Sequence, residues 1–243
     1  MKQIKFLSSA AIIMLMLFSC NSGGSGSSST TSTDSTMKDS STMTQAPPAP
    51  PAMAMIIKQK VANFAKWFPG YEAHDSARVA NGLRNFVVAR GINKDSNMVL
   101  VALHMDDTAK AKQFAMSPGL MDAMKKAGVI GKPTISYNVS KFHDSTTDAS
   151  TERAILTFKV KDYDAWKKVF DGDQQDRMNA GMTTRAINVD IDDPNLVSLV
   201  MVITDMKKTE DFMHSKELKH RMDSAGVVGG PPDVFFYHVV KQY

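Results

Sequence analysis

The chain is one unit written twice, and that duplication constrains its fold more than any motif does. At an offset of 99, Val61, Trp67, Arg78 and Gly82 fall on Val160, Trp166, Arg177 and Gly181. A one-residue slip changes the offset to 98. Identities then run in order from Asn97/Asn195 through Asp107/Asp205, Phe114/Phe212 and Gly128/Gly226 to Pro133/Pro231. Self-similarity at a fixed period marks a module that buries its apolar face against its neighbour. The two copies occupy residues 54–142 and 153–243, and the polar stretch 143–152 joins them.

Both copies read alike. A strand (Ala54–Val61; Arg153–Val160) leads to a helix with aromatic residues at i, i+3 and i+7: Phe64, Trp67 and Tyr71, then Tyr163, Trp166 and Phe170. That spacing places them on one helical face. Pro69-Gly70 is expected to break or kink the first copy of this helix. Two strands follow, Gly82–Arg90 with Asn97–Met105, and Gly181–Asp190 with Asn195–Thr204. Asp107 and Asp205 stand as N-caps of the next helix. In the first copy Ser117-Pro118 reads as a second cap with proline at the first helical position, which divides that helix. A last strand closes each unit (Thr134–Phe142; Val234–Gln242), so the order is βαββαβ, the ferredoxin-like split βαβ.

The phrase AGVIGKP (Ala127–Pro133) returns as AGVVGGP (Ala225–Pro231), and GKP in the first resembles the start of a phosphate loop, though the second has Gly230 in place of the lysine. The spacing is wrong for one, proline replaces the magnesium-binding hydroxyl, and the glycines follow a helix instead of preceding one. They read as helix stops, with Gly128 and Gly226 in the left-handed conformation.

The third strands, MVLVAL from Met98 and LVSLVMVI from Leu196, are almost continuously apolar, so both of their faces are buried. Helices cover one face of a ferredoxin-like sheet; the other copy is the cover for the second. The phrases VKDYDAWKKVFD, DDPNLVSLV and F-x-x-S-x-x-L-x-x-x-M ending in AGVxGxP resemble the dimeric α/β-barrel superfamily. That superfamily includes cofactor-free antibiotic-biosynthesis-type monooxygenases, haem-degrading monooxygenases and many stress-related proteins. The resemblance covers nearly all of residues 54–243. It implies an α+β fold in which two βαββαβ repeats pack their antiparallel sheets together as an intramolecular dimeric α/β barrel, a pseudo-dimer within a monomer.

The N-terminus carries a second resemblance. Lys2 and Lys5 precede a short apolar run from Ala10 to Phe18, too brief to span a bilayer. LFSC at Leu17–Cys20 resembles the lipobox of bacterial lipoproteins, which implies a signal peptide over residues 1–19 and lipidation of Cys20, with palmitate among the acyl groups. Cys20 is the only cysteine, so no disulfide is expected in an exported chain. Asn21 stands where aspartate favours inner-membrane retention in enterobacterial lipoproteins, so outer-membrane anchoring is expected. Residues 20–53, rich in Ser, Thr, Gly and Pro, read as a tether that cannot bury enough apolar surface to fold. Without Lys2 and Lys5 the formal charge falls from +4 to +2, which argues against nucleic acid as a partner.

No catalytic constellation assembles from the sequence. Trp67 and Trp166 can fill core or wall a pocket. Arg78 and Arg177 lie where a cation complements a helix dipole. His104 ends a buried apolar strand on the face of Leu100 and Ala102, with Val202 as its counterpart; it is the candidate proton acceptor or ligand contact. His238, aligned with Asn138, is a second candidate. Tyr137 and Tyr237 are expected to share an inward register with Ile135 and Phe235. The six histidines are scattered, and no CxxC, HxH or HExxH occurs, so no metal or other cofactor is expected. Nor can the Asn, Trp and His that haem-degrading relatives need be matched. Three function classes remain: a lipoprotein that binds a small apolar or aromatic ligand, a cofactor-independent oxygenase acting on a phenol or quinol with His104 as base, and a surface scaffold for protein partners.

Overall fold

The structure, a computed structural model, describes residues 51–146 and 150–243. The expected signal peptide, the lipobox-like segment and most of the expected tether, with linker residues 147–149, lie outside the described residues. The first copy consists of β1 (Met53–Val61), α1 (Phe64–Ala73), α2 (Asp75–Ala80), β2 (Leu83–Gly91), β3 (Met98–Met105), α3 (Thr108–Ala115), α4 (Pro118–Lys126) and β4 (Val129–His143). The second repeats it as β5 (Glu152–Val160), α5 (Tyr163–Gly172), α6 (Gln174–Asn179), β6 (Met182–Asp190), β7 (Leu196–Ile203), α7 (Met206–Met213), α8 (Lys216–Ser224) and β8 (Val227–Gln242).

Local chemistry starts these helices where the sequence says it should. Asn63 and Asp162 accept from the backbone N–H three residues on, at 3.0 and 2.8 Å. Asp107 and Asp205 do the same for α3 and α7, and Ser117 and Ser215 for α4 and α8. Each such cap stabilises its helix by about 1 kcal/mol. Gly128 and Gly226 stop α4 and α8 at φ +83° and +81°. The closing strands begin at once, at Val129 and Val227, so the Gly-x-Pro segments form bulges inside β4 and β8.

One expected break is elsewhere. α1 runs through Pro69, which forgoes a single hydrogen bond, and both first helices end at the same place, His74 and Asp173. Tertiary contacts meet the chain at this break. Buried Arg78 donates to the Tyr71 carbonyl at 2.8 Å and lies 3.9 Å over the Tyr71 ring. Arg177 treats the Phe170 carbonyl and ring in the same way, its guanidinium 3.5 Å from the centroid. Each arginine thus takes up a carbonyl in the last turn of the preceding helix.

The eight strands close into an antiparallel barrel in the order β1-β3-β2-β8-β5-β7-β6-β4. Each copy supplies a four-stranded sheet, and the seams are β2–β8 and β4–β6. The long strands β4 and β8, 15 and 16 residues, make both seams with the ends that overrun their own copy. Corresponding strands point the same way, so the relation between the copies is a pseudo-twofold along the barrel. This is the intramolecular dimeric α/β barrel that the repeats imply.

Strand alternation sorts the core into three layers. Met55, Val99, Val101 and Leu103 face α1–α4 with Trp67 and Phe114. Ala154, Val197, Leu199 and Met201 face α5–α8 with Trp166 and Phe212. Between the sheets, Ile56, Ala89, Leu100, Ile155, Phe235 and Tyr237 fill the barrel interior. The continuous apolarity of β3 and β7 follows from this burial on both faces.

Candidate functional site

Among the described residues three hollows stand out. Two are small and related by the repeat. One, of about 70 Å3, lies between α1–α4 and their sheet and is walled by Trp67, Tyr71 and Phe114. The other, of about 90 Å3, lies under α5–α8 beside Trp166, Phe170 and Phe212. The tryptophans are almost fully buried and stack on Tyr71 and Phe170 at centroid distances of 5.0 and 4.9 Å. They are core side chains that border crevices large enough for a few waters.

The third hollow is a cavity of about 320 Å3 inside the barrel, at the end where β1 and β5 begin and β4 and β8 finish. That is the size of a small-molecule site. Its walls are mainly Ile56, Val87, Leu100, Ile155, Val200 and Val239. His104 faces it, as expected from its place beside Leu100 and Ala102. Its ring lies 4.6 Å from Phe86, and His143, at the end of β4, meets the same phenylalanine edge-on at 5.8 Å. Phe86 is thus flanked by two imidazoles.

Both histidines are held below the ordinary value. For His104 the main cause is burial, reinforced by the Arg84 cation and opposed by Asp106. For His143 it is again burial first, then Arg185, with Asp144 opposing. Both imidazoles are therefore neutral at pH 7 and able to accept a proton.

The second copy contributes different chemistry. Tyr237 is almost fully buried and stacks on Phe235 at 5.8 Å. Burial drives its phenol far above the usual range, against the nearby Arg153 and Arg185 cations, so the hydroxyl stays protonated. Arg153, next to Tyr237 in the ladder, donates through Nη1 to the carbonyls of Ser150 and Glu152. Arg185 donates to the Thr146 carbonyl. Asn188 and Gln242 complete this side. Among the described residues no group of three His, Cys, Asp or Glu side chains converges as a metal site.

The ladders correct the alignment of the last strands. Lys58 pairs with Thr134 and Lys60 with Ile130, which leaves three residues in the bulge of β4. Thr157 pairs with Asp233 and Lys159 with Val228, which leaves four in β8. That one-residue insertion shifts the register. The counterpart of Tyr237 is Asn138, not Tyr137, because Ala54 stands opposite Asn138 and its counterpart Arg153 opposite Tyr237. A slip of one residue exchanges the faces of a strand. Tyr137 and Ile135 accordingly pack toward the helices, with Lys112 over the Tyr137 ring at 5.4 Å. His238 occupies the opposite face from Tyr237, and its counterpart is Val139. The structure therefore brings His104 and Tyr237 to the cavity and leaves Trp67, Trp166, Tyr137 and His238 outside it. The sequence reading missed Phe86, His143, Arg153 and Arg185. The interruption of apolar strand patterns by Arg153 and Arg185, set against Ala54 and Phe86, was the available signal.

The repeat also shows where the copies have diverged. In the helix-facing layers Trp67/Trp166, Val99/Val197 and Phe114/Phe212 are identical. Leu83/Met182, Val101/Leu199 and Leu103/Met201 exchange one apolar side chain for another. Around the cavity Ile56/Ile155 is kept, but chemistry changes at Ala54/Arg153, Phe86/Arg185, Ala89/Asn188, His104/Val202, Asn138/Tyr237, Ser140/Val239 and His143/Gln242. The helix-facing layers also change, at Gln59/Phe158 and Ala111/Thr209, so the divergence is heaviest around the axis without being confined to it.

No family model matches the chain, and no curated protein does. Solved structures do share its architecture. An anthrone oxidase-like protein is 13% identical with a TM-score of 0.53, over 80% of this chain and 94% of its own. A protein from Fusobacterium nucleatum subsp. nucleatum, assigned as a monooxygenase, is 12% identical with a TM-score of 0.51, over 79% of this chain and 94% of its own. At such identity the likeness shows the fold and leaves the activity to the site.

Proposed function

We propose that this protein binds a small ligand with an apolar or aromatic body in the axial cavity of the barrel. The observation that carries the reading is the cavity itself: about 320 Å3, walled by aliphatic and aromatic side chains, with a few polar groups converging on it. The test is a calorimetric titration of the full chain with 2-naphthylmethanol, a neutral bicyclic probe. Ala102 lines the cavity between Leu100 and His104, so Ala102→Phe fills it. Saturable binding by the wild type, weakened by about tenfold or more in a folded Ala102→Phe variant, supports the reading. Equal binding by both proteins, or none by either, rejects it.

His104 favours a second reading, in which the bound molecule is a phenol or quinol and the neutral imidazole takes its proton before reaction with dioxygen. Two of the structural neighbours bear oxidase or monooxygenase names, which agrees with this reading without carrying it. It requires that His104→Ala reduce phenol-dependent oxygen uptake by about a hundredfold, the usual weight of a general base. Undiminished uptake would remove it.

The lipobox-like segment adds a location. We propose that the barrel is exported and held at the cell envelope through a lipid on Cys20, facing its ligand from a tether. Partition into detergent that is lost in Cys20→Ser supports this, and unchanged partition refutes it.

A further inference from the structure

The two copies share one scaffold, so each shows which polar groups the other's scaffold can do without. Two neutral polar side chains of the cavity wall are more than nine-tenths buried, Asn188 at 8% exposure and Tyr237 at 4%. Neither side chain forms a hydrogen bond among the described residues. Enclosed, unbonded polar atoms occur at Gln59, Arg78 and Arg177; those of Asn188 and Tyr237 instead open onto the cavity. At the matching positions the first copy has Ala89, and Asn138, whose amide donates to Ser136 Oγ at 3.0 Å. A buried polar group without a partner destabilises the fold around it. The second copy thus carries a penalty that the first avoids, and a ligand that supplies the missing bonds offsets it.

Resting on the ligand-binding reading above, we propose that the ligand is a neutral aromatic amide, open or cyclic, whose amide edge pairs with Asn188. The asparagine side chain presents an N–H donor and a carbonyl acceptor side by side in one plane. An amide edge is its complement and forms two parallel hydrogen bonds with it, as asparagine does with the edge of adenine. A ketone accepts without donating and leaves the Asn188 oxygen unmet. The aliphatic side chains of Ile56, Leu100, Ile155 and Val200, with Phe86, suit the flat ring. Tyr237 adds a hydroxyl, kept protonated by burial, for one further neutral polar atom of the ligand. Arg153 and Arg185 are already engaged, with the Ser150, Glu152 and Thr146 carbonyls among their partners.

The experiment compares 2-naphthamide with 2-acetylnaphthalene by calorimetry on the full chain at neutral pH, with 2-naphthylmethanol as the reference for the cavity. The amide and the ketone share a ring system, a carbonyl and a shape, and differ in an NH2 against a methyl group. 2-Naphthamide is expected to bind about tenfold more tightly than the ketone, the scale of a hydrogen bond to a buried group. Asn188→Ala, which installs the residue that the first copy holds at this position, is expected to reduce that preference to about threefold or less. Asn188→Leu, nearer in size, is expected to do the same. Equal affinities for the two probes, or tighter binding of the ketone, overturn the amide assignment and leave the cavity reading intact. A full preference surviving in either folded variant overturns it as well. Failure of all three probes to bind rejects the cavity reading and this assignment together.

Discussion

At the scale of single residues, the polar groups of the axial cavity leave a mark on stability. The fold favours neutral His104 and His143, so their protonation is disfavoured relative to the unfolded chain, where the ordinary value is 6.5. As pH falls through that value the unfolded chain binds protons first. The stabilisation is therefore complete above about pH 6.5 and is lost as pH falls toward the lower folded values. Because both rings are partly open to solvent, the slope is shallow. A melting temperature that declines between about pH 7.5 and 5.5, and declines less in His104→Gln, is the expected outcome. An identical pH profile in that variant would contradict it. His104 was legible because a histidine interrupts an otherwise apolar strand. Tyr137 departs from the expected inward register for a physical reason: the insertion that separates the two AGVxGxP bulges, four residues against three, changes the face of everything after it.

At the scale of elements, most of the fold was written locally. Caps at Asp107, Asp205, Ser117 and Ser215, and left-handed glycines at Gly128 and Gly226, fix where helices start and stop. The division of the first helix at His74 and Asp173 lies beyond Pro69-Gly70, where buried arginines of the following helix take up carbonyls of its last turn and, in the second copy, Gly172 is its last residue. Close approach also distinguishes one glycine from another. Gly181 has φ +75°, and an added Cβ would lie 2.8 Å from the Asp205 Cβ and 3.0 Å from the Asp205 backbone N and O. Gly131 has φ +72° with nothing within 4 Å of the same position. Gly131→Ala is expected to cost about 1 kcal/mol, the penalty of the left-handed conformation alone. Gly181→Ala adds a steric clash at the start of β6 and the cap of α7, for about 2–4 kcal/mol in all. Thermal or urea denaturation of the two variants measures the difference. Equal costs would show that the β6–α7 approach is not as close as described.

At the scale of the whole molecule, the duplication explains both the barrel and the site. Each copy has a sheet with one face covered by its own helices and one left apolar, and the two seams join these faces around a common axis. Ion pairs cross between the copies at Lys58–Asp233, Lys112–Asp192 and Lys241–Glu72. Exposed pairs of this kind contribute little, so the apolar interior and the two ladders hold the halves together. Covalent joining has a further consequence: the two sides of the axial cavity can differ, as they cannot in a dimer of identical chains. The barrel was legible in the repeat and in the doubly buried strands. The cavity was not, because it depends on register at the barrel end and on side chains from both copies.

The ligand-binding function depends on which hollow takes the ligand. A crystal structure of the full chain grown with 2-naphthylmethanol measures that directly. The expected result is probe density on the barrel axis, against Phe86 and between Leu100 and Val200. Density under α1 beside Trp67 or under α5 beside Trp166, with the axial cavity holding only solvent, would contradict it.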